Sequence, residues 1–300
     1  MKLAFCFAGQ GSQYVGMGQD LYNEFPLAKE LYDLFPEIRD LCFYDKDNVL
    51  NQTAYAQKAM LLTSYVIASI LRENGINPEY VCGLSLGEYS ALAFANAWNI
   101  NDSIDIITRR GAIMQNALPL GTTKMAAVLG MERDAILDVL KNANGVCEIA
   151  NYNCPGQIVI TGEVSSVDEA MVKLTEAGAK RCIPLNVSGA FHSSLLNDAS
   201  FELRKKLDEY IPNKPKYKVI YNVSGKEEND NLNDILQRQI CNSVYFEDSI
   251  KYLIDKGVDT FVEIGPGKTL SGFIKKVDRN ANVLVATDFN SLNDIIGGLK

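Results

Sequence analysis

The chain has 300 residues, 47% hydrophobic and 22% charged, with a net charge of −8. Those proportions are ordinary for a globular protein, and the acidic balance argues against a nucleic-acid partner, whose binders need a positive footprint. A single histidine, His192, excludes metal sites built on two or more imidazoles, the HExxH hydrolases among them.

A chain of this length can bury about three quarters of its unfolded surface, so its core needs no staples. Seven cysteines are dispersed with no CxxC pair, which reads as buried thiols in a reducing compartment and points to the cytoplasm. In chain order, the first element is Leu3–Ala8, a continuous apolar run. It is shorter than the roughly 7–15 residues of a signal-peptide core, and it reads as a buried strand. Leu21–Phe35 has helical spacing, and Ala59–Glu73 is a longer apolar helix. The apolar part of the latter carries Thr63 and Ser64 and falls short of the ~20 residues that span a bilayer, so no membrane association is expected. Tyr80–Gly83 is a second short strand and Ser90–Trp98 continues a helix. Apolar strands separated by helices predict a parallel sheet covered on both faces.

From Lys124 the rhythm changes. Strands are predicted at Met125–Leu129, Val146–Asn151, Gln157–Thr161 and Lys180–Leu185, with helices at Asp134–Lys141 and Val167–Ala177. That βαββαβ order is the ferredoxin-like split unit. We therefore expect an inserted subdomain over 124–187 within a larger α/β domain formed by 1–123 and 188–300. Gly121-Thr122-Thr123 and Ser188-Gly189 are the expected hinges. The remainder returns to the large domain. Leu195, Leu196, Ala199, Leu203, Leu207 and Ile211 mark an amphipathic helix, and Asp259–Ile264 is a late strand.

Two glycine clusters are decoys. Gly9-Gln10-Gly11 follows a strand, but Tyr14 stands where a dinucleotide fingerprint needs its third glycine. Gly265-Pro266-Gly267-Lys268-Thr269 ends like a phosphate-binding loop, but Val262 occupies the opening glycine's position. It reads as a strand-to-helix turn.

The chemical signal is Gly83-Leu84-Ser85-Leu86-Gly87, a GxSxG between a strand and an apolar helix. A serine on such an elbow has a strained backbone, and only small residues two before and two after avoid clashes. The turn lifts the Ser85 hydroxyl into a cleft and puts the Leu86 N–H at a helix N-terminus, where an oxyanion can be met. A serine needs a base, and His192 is the only imidazole available. It lies in a loop opening a helix, whose N-terminus would disfavour the imidazolium. The order serine then histidine fits an α/β hydrolase, while Asp102, Asp105 and Asp134 lie between them with no spacing that selects a third member.

The whole pattern resembles the malonyl-coenzyme A:acyl carrier protein transacylases of fatty-acid synthesis. The resemblance runs along almost the full chain through Gly9-Gln10-Gly11-Ser12-Gln13, Gly83-Leu84-Ser85-Leu86-Gly87-Glu88-Tyr89, Arg110-Gly111, Pro155-Gly156-Gln157, Ala190-Phe191-His192-Ser193 and Gly265-Pro266-Gly267-Lys268. It implies a large α/β-hydrolase-like domain with the ferredoxin-like insert, Ser85 as the nucleophile that takes the malonyl group, and His192 as general base and acid. It further implies that the backbone N–H groups of Gln10 and Leu86 form the oxyanion hole and that Arg110 grips the malonyl carboxylate. In this family a backbone carbonyl, here that of Gln239, holds the histidine in place of an acid. Phe191 resembles the malonyl-selecting version of its loop, where a ring crowds an α-methyl and gives about 10–100-fold preference. Malonyl-coenzyme A is then the substrate, phosphopantetheine arrives on the carrier protein, and no metal or tightly held cofactor is implied.

Two positions depart from the family. Leu84 stands where most members have histidine and should face the core, and Lys58 stands where proline is usual, with little effect expected. A loading acyltransferase of a polyketide synthase would share every residue above. An acyl-carrier-protein hydrolase or a silent carrier-binding module are the remaining readings, against which Arg110 and the Ser85–His192 pair respectively argue. Arg204-Lys205-Lys206, Lys180-Arg181 and Lys275-Lys276 are candidate docking patches for an acidic carrier, or ordinary solvated faces.

Overall fold

The N-terminal apolar run becomes strand β1 (Leu3–Phe7), every residue of which is buried, in a computed structural model that describes residues 1–187 and 189–299. The other strands are β2 (Tyr80–Gly83), β3 (Thr123–Leu129), β4 (Cys147–Cys154), β5 (Gln157–Glu163), β6 (Arg181–Pro184), β7 (Lys218–Val219), β8 (Val244–Tyr245), β9 (Thr260–Ile264) and β10 (Asn282–Ala286). They form two five-stranded sheets. The first runs β10-β9-β1-β2-β7 with every pairing parallel. Helices cover it: Phe94 of the Leu86–Phe94 helix packs its ring 5.6 and 5.8 Å from those of Phe5 and Phe7. This is the expected α/β architecture with a parallel sheet.

The second sheet runs β6-β3-β5-β4-β8. Its first four strands pair antiparallel, and helices Arg133–Leu140 and Val164–Glu176 fall between them in sequence. The fifth, β8, comes from the later chain and adds parallel to β4 through Asn151↔Val244 and Tyr152↔Tyr245. That short pairing ties the two units together. Of the expected second hinge, Ser188 lies outside the described residues.

Three expectations need correction. Leu21–Phe35 is not one helix: it splits into Gln19–Glu24 and Pro26–Asp33, and a further helix, Pro36–Phe43, follows. Pro26 and Pro36 each occupy a first helical position, where a missing N–H costs nothing but the preceding residue is pushed out of helix. The helix after His192 spans Asn197–Leu207, and Ile211 lies beyond it, 91% exposed. Ser90–Trp98 continues a helix only as far as Phe94, in the helix Leu86–Phe94 that starts directly off the elbow.

In the parallel sheet the chain moves from β1 to β2 on one side and returns as β9 on the other. Ligands of such sheets sit outside the carboxyl ends of strands where the order reverses. Gln10 follows β1, Ser85 follows β2 and Gly265 follows β9, all at that end. The glycine turn after β9 runs into the helix Thr269–Val277, as expected for a strand-to-helix turn.

Candidate active site

The elbow is built by close approach. A Cβ on Gly83 would lie 2.0 Å from the Gly87 carbonyl carbon, and one on Gly87 would lie 2.1 Å from the Phe7 carbonyl oxygen. No side chain fits between those backbones. Ser85 is thereby forced to φ 54, ψ −105, a positive-φ conformation that a non-glycine residue keeps only when its surroundings over-determine it. Leu86 begins the following helix, and among the described residues neither its N–H nor that of Gln10 has an acceptor.

His192 also has a positive φ, 59°, and is 3% exposed. Its N–H donates to the Ile240 carbonyl at 3.1 Å. Its Nδ1 is 2.8 Å from the Gln239 carbonyl oxygen and its Nε2 is 2.7 Å from Ser85 Oγ. The carbonyl can only accept, so Nδ1 carries the proton and Nε2 is free to take one from the hydroxyl. Burial, and then the charge of Arg110, pushes the imidazole down to about 4. Burial and the neighbouring cation both disfavour the imidazolium, so the ring is neutral at pH 7.

Arg110 is 0% exposed on the helix Ile100–Asn116. Its Nη1 donates to Gln57 Oε1 at 2.8 Å and its Nη2 to Gln239 Oε1 at 3.0 Å, while Nη2 also lies 3.4 Å from Ser85 Oγ. The guanidinium stacks 4.8 Å over the Tyr89 ring, and its Nε has no partner among the described residues. A buried cation ordinarily has a carboxylate in contact, because leaving it unpaired is costly. Among the described residues Arg110 has none. The nearby acid is Glu88, itself 0% exposed, and burial pushes its carboxyl up to about 8 against the pull of the Asn222 N–H and Arg110. At neutral pH it is mostly protonated and leaves the guanidinium uncompensated.

Ser85 and His192 open on a cleft of about 1440 Å³ between the two sheets, lined by Gln10, Ser85, Phe191 and His192 on one wall and Met125, Asn151, Asn153 and Val159 on the other. Gln10 also donates from Nε2 to Thr53 Oγ1 at 3.2 Å. Arg110 sits behind Ser85. Leu84, expected to face the core, is half-buried: it packs against the cluster of Leu270 and Phe273 and lines the cleft with them. Lys58 is not in the cleft wall; it lies over the Tyr55 ring. Of the docking patches, Arg204 is paired with Asp208 and Asp234 and Lys206 with Glu209.

Sequence reasoning missed Gln57, Asn222 and the side chain of Gln239. Gln57 carried a signal, as the one long polar side chain that is buried in a helix whose run Ala56–Leu71 is mostly apolar. Asn222 carried none.

A serine elbow at the reversal point of a parallel sheet, with an imidazole in hydrogen-bond contact, is the arrangement of serine acyltransferases and serine hydrolases alike. The model of the acyl transferase domain matches residues 4–287. The chain is 41% identical over 309 residues to the malonyl CoA-acyl carrier protein transacylase of Bacillus subtilis, covering 100% of this chain and 98% of that one. It superposes on the malonyl CoA-acyl carrier protein transacylase of Clostridium perfringens with a TM-score of 0.97 and 40% identity, over 100% and 97% of the two chains. A malonyl-transacylase solved in complex with a type II polyketide synthase acyl-carrier protein is also similar, with a TM-score of 0.95 and 32% identity over 99% and 100%. The chain belongs to the malonyl CoA-acyl carrier protein transacylase family.

Proposed function

We propose that this protein moves a malonyl group from malonyl-coenzyme A to the phosphopantetheine thiol of an acyl carrier protein, for fatty-acid synthesis, through an ester on Ser85. The observation that carries the reading is the buried guanidinium of Arg110, 3.4 Å from Ser85 Oγ and otherwise hydrogen-bonded, among the described residues, only to amide oxygens. Neutral amides are weak partners for a cation, and a carboxylate can displace them with two charge-assisted hydrogen bonds. A malonyl group presents that carboxylate on the far side of its thioester carbonyl.

His192 Nε2 takes the Ser85 proton as Oγ attacks the carbonyl, and the N–H groups of Gln10 and Leu86 receive the oxyanion. Collapse expels coenzyme A as a thiol, the proton returning from His192. The carrier's thiol then enters, gives its proton to His192 and attacks the ester, and Ser85 regains its proton as it leaves. The Gln239 carbonyl orients the imidazole throughout and balances the imidazolium that forms transiently. Phe191, buried beside His192 in the cleft, selects against an α-methyl. No step needs a metal or cofactor.

The antiparallel sheet's order and its βαββαβ sequence support reading 124–187 as a ferredoxin-like insert in an α/β-hydrolase-like domain of 1–123 and 188–300. Lys180-Arg181 and Lys275-Lys276 are the docking patches we favour, since two of the three cations of Arg204-Lys205-Lys206 are already paired with acids. We place the reaction in the cytoplasm, in keeping with free cysteines and with no helix, among the described residues, long and apolar enough to cross a membrane. The similarity to a transacylase solved with a polyketide carrier favours a second reading, loading of such a carrier. Intact mass after mixing with malonyl-coenzyme A tests the first half: a malonyl adduct of about 86 Da should form on the wild type and not on Ser85→Ala, as for an ester on the nucleophile. Adding a fatty-acid or a polyketide carrier to the adduct separates the two pathways by which one discharges it. An adduct that persists in Ser85→Ala overturns the reading.

A further inference from the structure

We propose that Asn222 is a positioning residue for the acyl transfer: its carboxamide takes the place of a strand that ends too early and sets the reactive geometry of the elbow. The inference rests on the reading of Ser85 as nucleophile.

β7 pairs with β2 only through Tyr80↔Lys218 and Val81↔Val219. The last ladder bond is the Ile220 N–H donating to the Val81 carbonyl at 2.9 Å. Tyr221 then turns away, pairing with Lys226. The chain therefore leaves the sheet edge just as the strand it was pairing becomes the elbow, where the Gly83 carbonyl and the Ser85 N–H still face that edge. Buried backbone groups must be satisfied, and one side chain does it. Asn222 Nδ2 donates to the Gly83 carbonyl at 2.6 Å, and Asn222 Oδ1 accepts from the Ser85 N–H at 2.8 Å. A carboxamide has the donor and acceptor of a peptide group, so it continues the ladder without continuing the strand.

The carboxamide is itself fixed from behind. The Asn222 N–H donates to Glu88 Oε2 at 2.6 Å, in the first turn of the helix that the elbow starts, and the Asn222 carbonyl accepts from Tyr245 N–H at 2.8 Å. Gln239 Nε2 donates to the Ser85 carbonyl at 2.9 Å. Both peptide groups flanking Ser85 are thus held by side chains from later in the chain, Asn222 on one side and Gln239 on the other. A strained residue needs that over-determination. Asn222 holds the peptide between Leu84 and Ser85 through its N–H, and rotation there would turn the Ser85 side chain away from His192, so a loosened elbow loses attack geometry. Arg110, held by Gln57 and Gln239, would stay in place.

Asn222→Ala and Asn222→Asp test the proposal. In Asn222→Asp the protonated carboxyl keeps the donor and acceptor pattern of the carboxamide, whereas the ionised form turns a second acceptor onto the Gly83 carbonyl. The groups around it are Glu88, which accepts from its N–H and feels Arg110, Tyr245, whose N–H donates to its carbonyl, Gln239, and Tyr221 beside it, which feels Glu88 and Glu228. The measurement is the single-turnover rate of ester formation with malonyl-coenzyme A from pH 5.5 to 9, with the site mapped by mass and Ser85→Ala run in parallel. In Asn222→Ala we expect the rate at saturation to fall by about 10–100-fold with the half-saturating concentration changed by less than about threefold, as for lost transition-state geometry. In Asn222→Asp the rate relative to wild type should fall as pH rises. A merely structural residue would give a ratio flat in pH. Wild-type rates in Asn222→Ala overturn the proposal, and so does a flat ratio in Asn222→Asp if the alanine variant does not fold. Labelling of Ser85→Ala would instead overturn the assignment of the nucleophile.

Discussion

The elbow and the His192 loop face each other across 2.7 Å, and each holds a non-glycine residue at positive φ, 54° at Ser85 and 59° at His192. They are held there by different means. The elbow's conformation is imposed first by close backbone approach, Gly83 against Gly87 and Gly87 against Phe7 of β1, where no Cβ fits, with Asn222 and Gln239 bonding the peptides on either side of Ser85. Among the described residues of the His192 loop, no glycine meets backbone in that way. It is tied by the Ile240 carbonyl to its N–H, by the Gln239 carbonyl to its ring, and by Glu148 of β4, which accepts from the Ser194 N–H at 2.8 Å and from its hydroxyl at 2.6 Å. Steric constraint by backbone contact is intolerant of change. Support by distant hydrogen bonds is spread over several segments and should yield by degrees.

That contrast predicts graded outcomes. Gly83→Ala should be the most damaging, because its Cβ would meet backbone atoms at 2.0 to 2.5 Å. Urea unfolding should show a loss of about 3 kcal/mol or more, and the surviving folded fraction should form almost no ester. Gln239→Ala keeps the carbonyl that holds His192 but removes the bonds to Arg110 and to the Ser85 carbonyl. Malonyl kcat/KM should fall about 10–100-fold, the effect of one or two buried hydrogen bonds, with Tm changed by only a few degrees. Glu148→Ala leaves the elbow untouched and should lower stability by about 1 kcal/mol, since its bonds are at the surface, with turnover reduced by a small factor. A collapse of activity in Glu148→Ala as complete as in Gly83→Ala would erase the distinction between the two regions.

The smallest effects are in pH. With its imidazole near 4, His192 stays neutral as pH is lowered through the usual histidine range, so kcat/KM should be nearly level from about pH 8 to 6, and an acid limb centred near the ordinary histidine value of about 6.5 would contradict the burial argument. Above about pH 8 the Glu88 carboxyl ionises and supplies Arg110 with a permanent counter-charge. Malonyl-coenzyme A should then bind less well as pH rises, and Glu88→Gln should remove that rise in KM while still accepting from the Asn222 N–H.

The same contrast explains what was legible in the residues alone. Ser85 and the first strand were readable because an apolar run and a GxSxG motif act on their own neighbourhood. The antiparallel strands of the second sheet were readable for the same reason, each within a few residues of its observed position. The break at Pro26 was visible in principle and was overridden by the apolar spacing around it. β7 and β8 are two residues each and have no period to detect. They exist because long-range partners wait for them. Arg110 and Gln239 could be assigned only through a family resemblance, since nothing in a solvated-looking helix residue or a lone glutamine announces that the fold will bring both to Ser85. Asn222 and Glu148 had no local pattern at all. Their roles arise only where distant segments meet.

Ester formation by wild type and Arg110→Ala, each with malonyl-coenzyme A and with acetyl-coenzyme A, tests the account most directly. If the uncompensated guanidinium is a carboxylate clamp, the variant should lose at least about 100-fold in malonyl kcat/KM, in line with removing a buried charge-assisted pair, while acetyl transfer is unchanged or improved. An equal loss for both acyl groups, or none for malonyl, would contradict it.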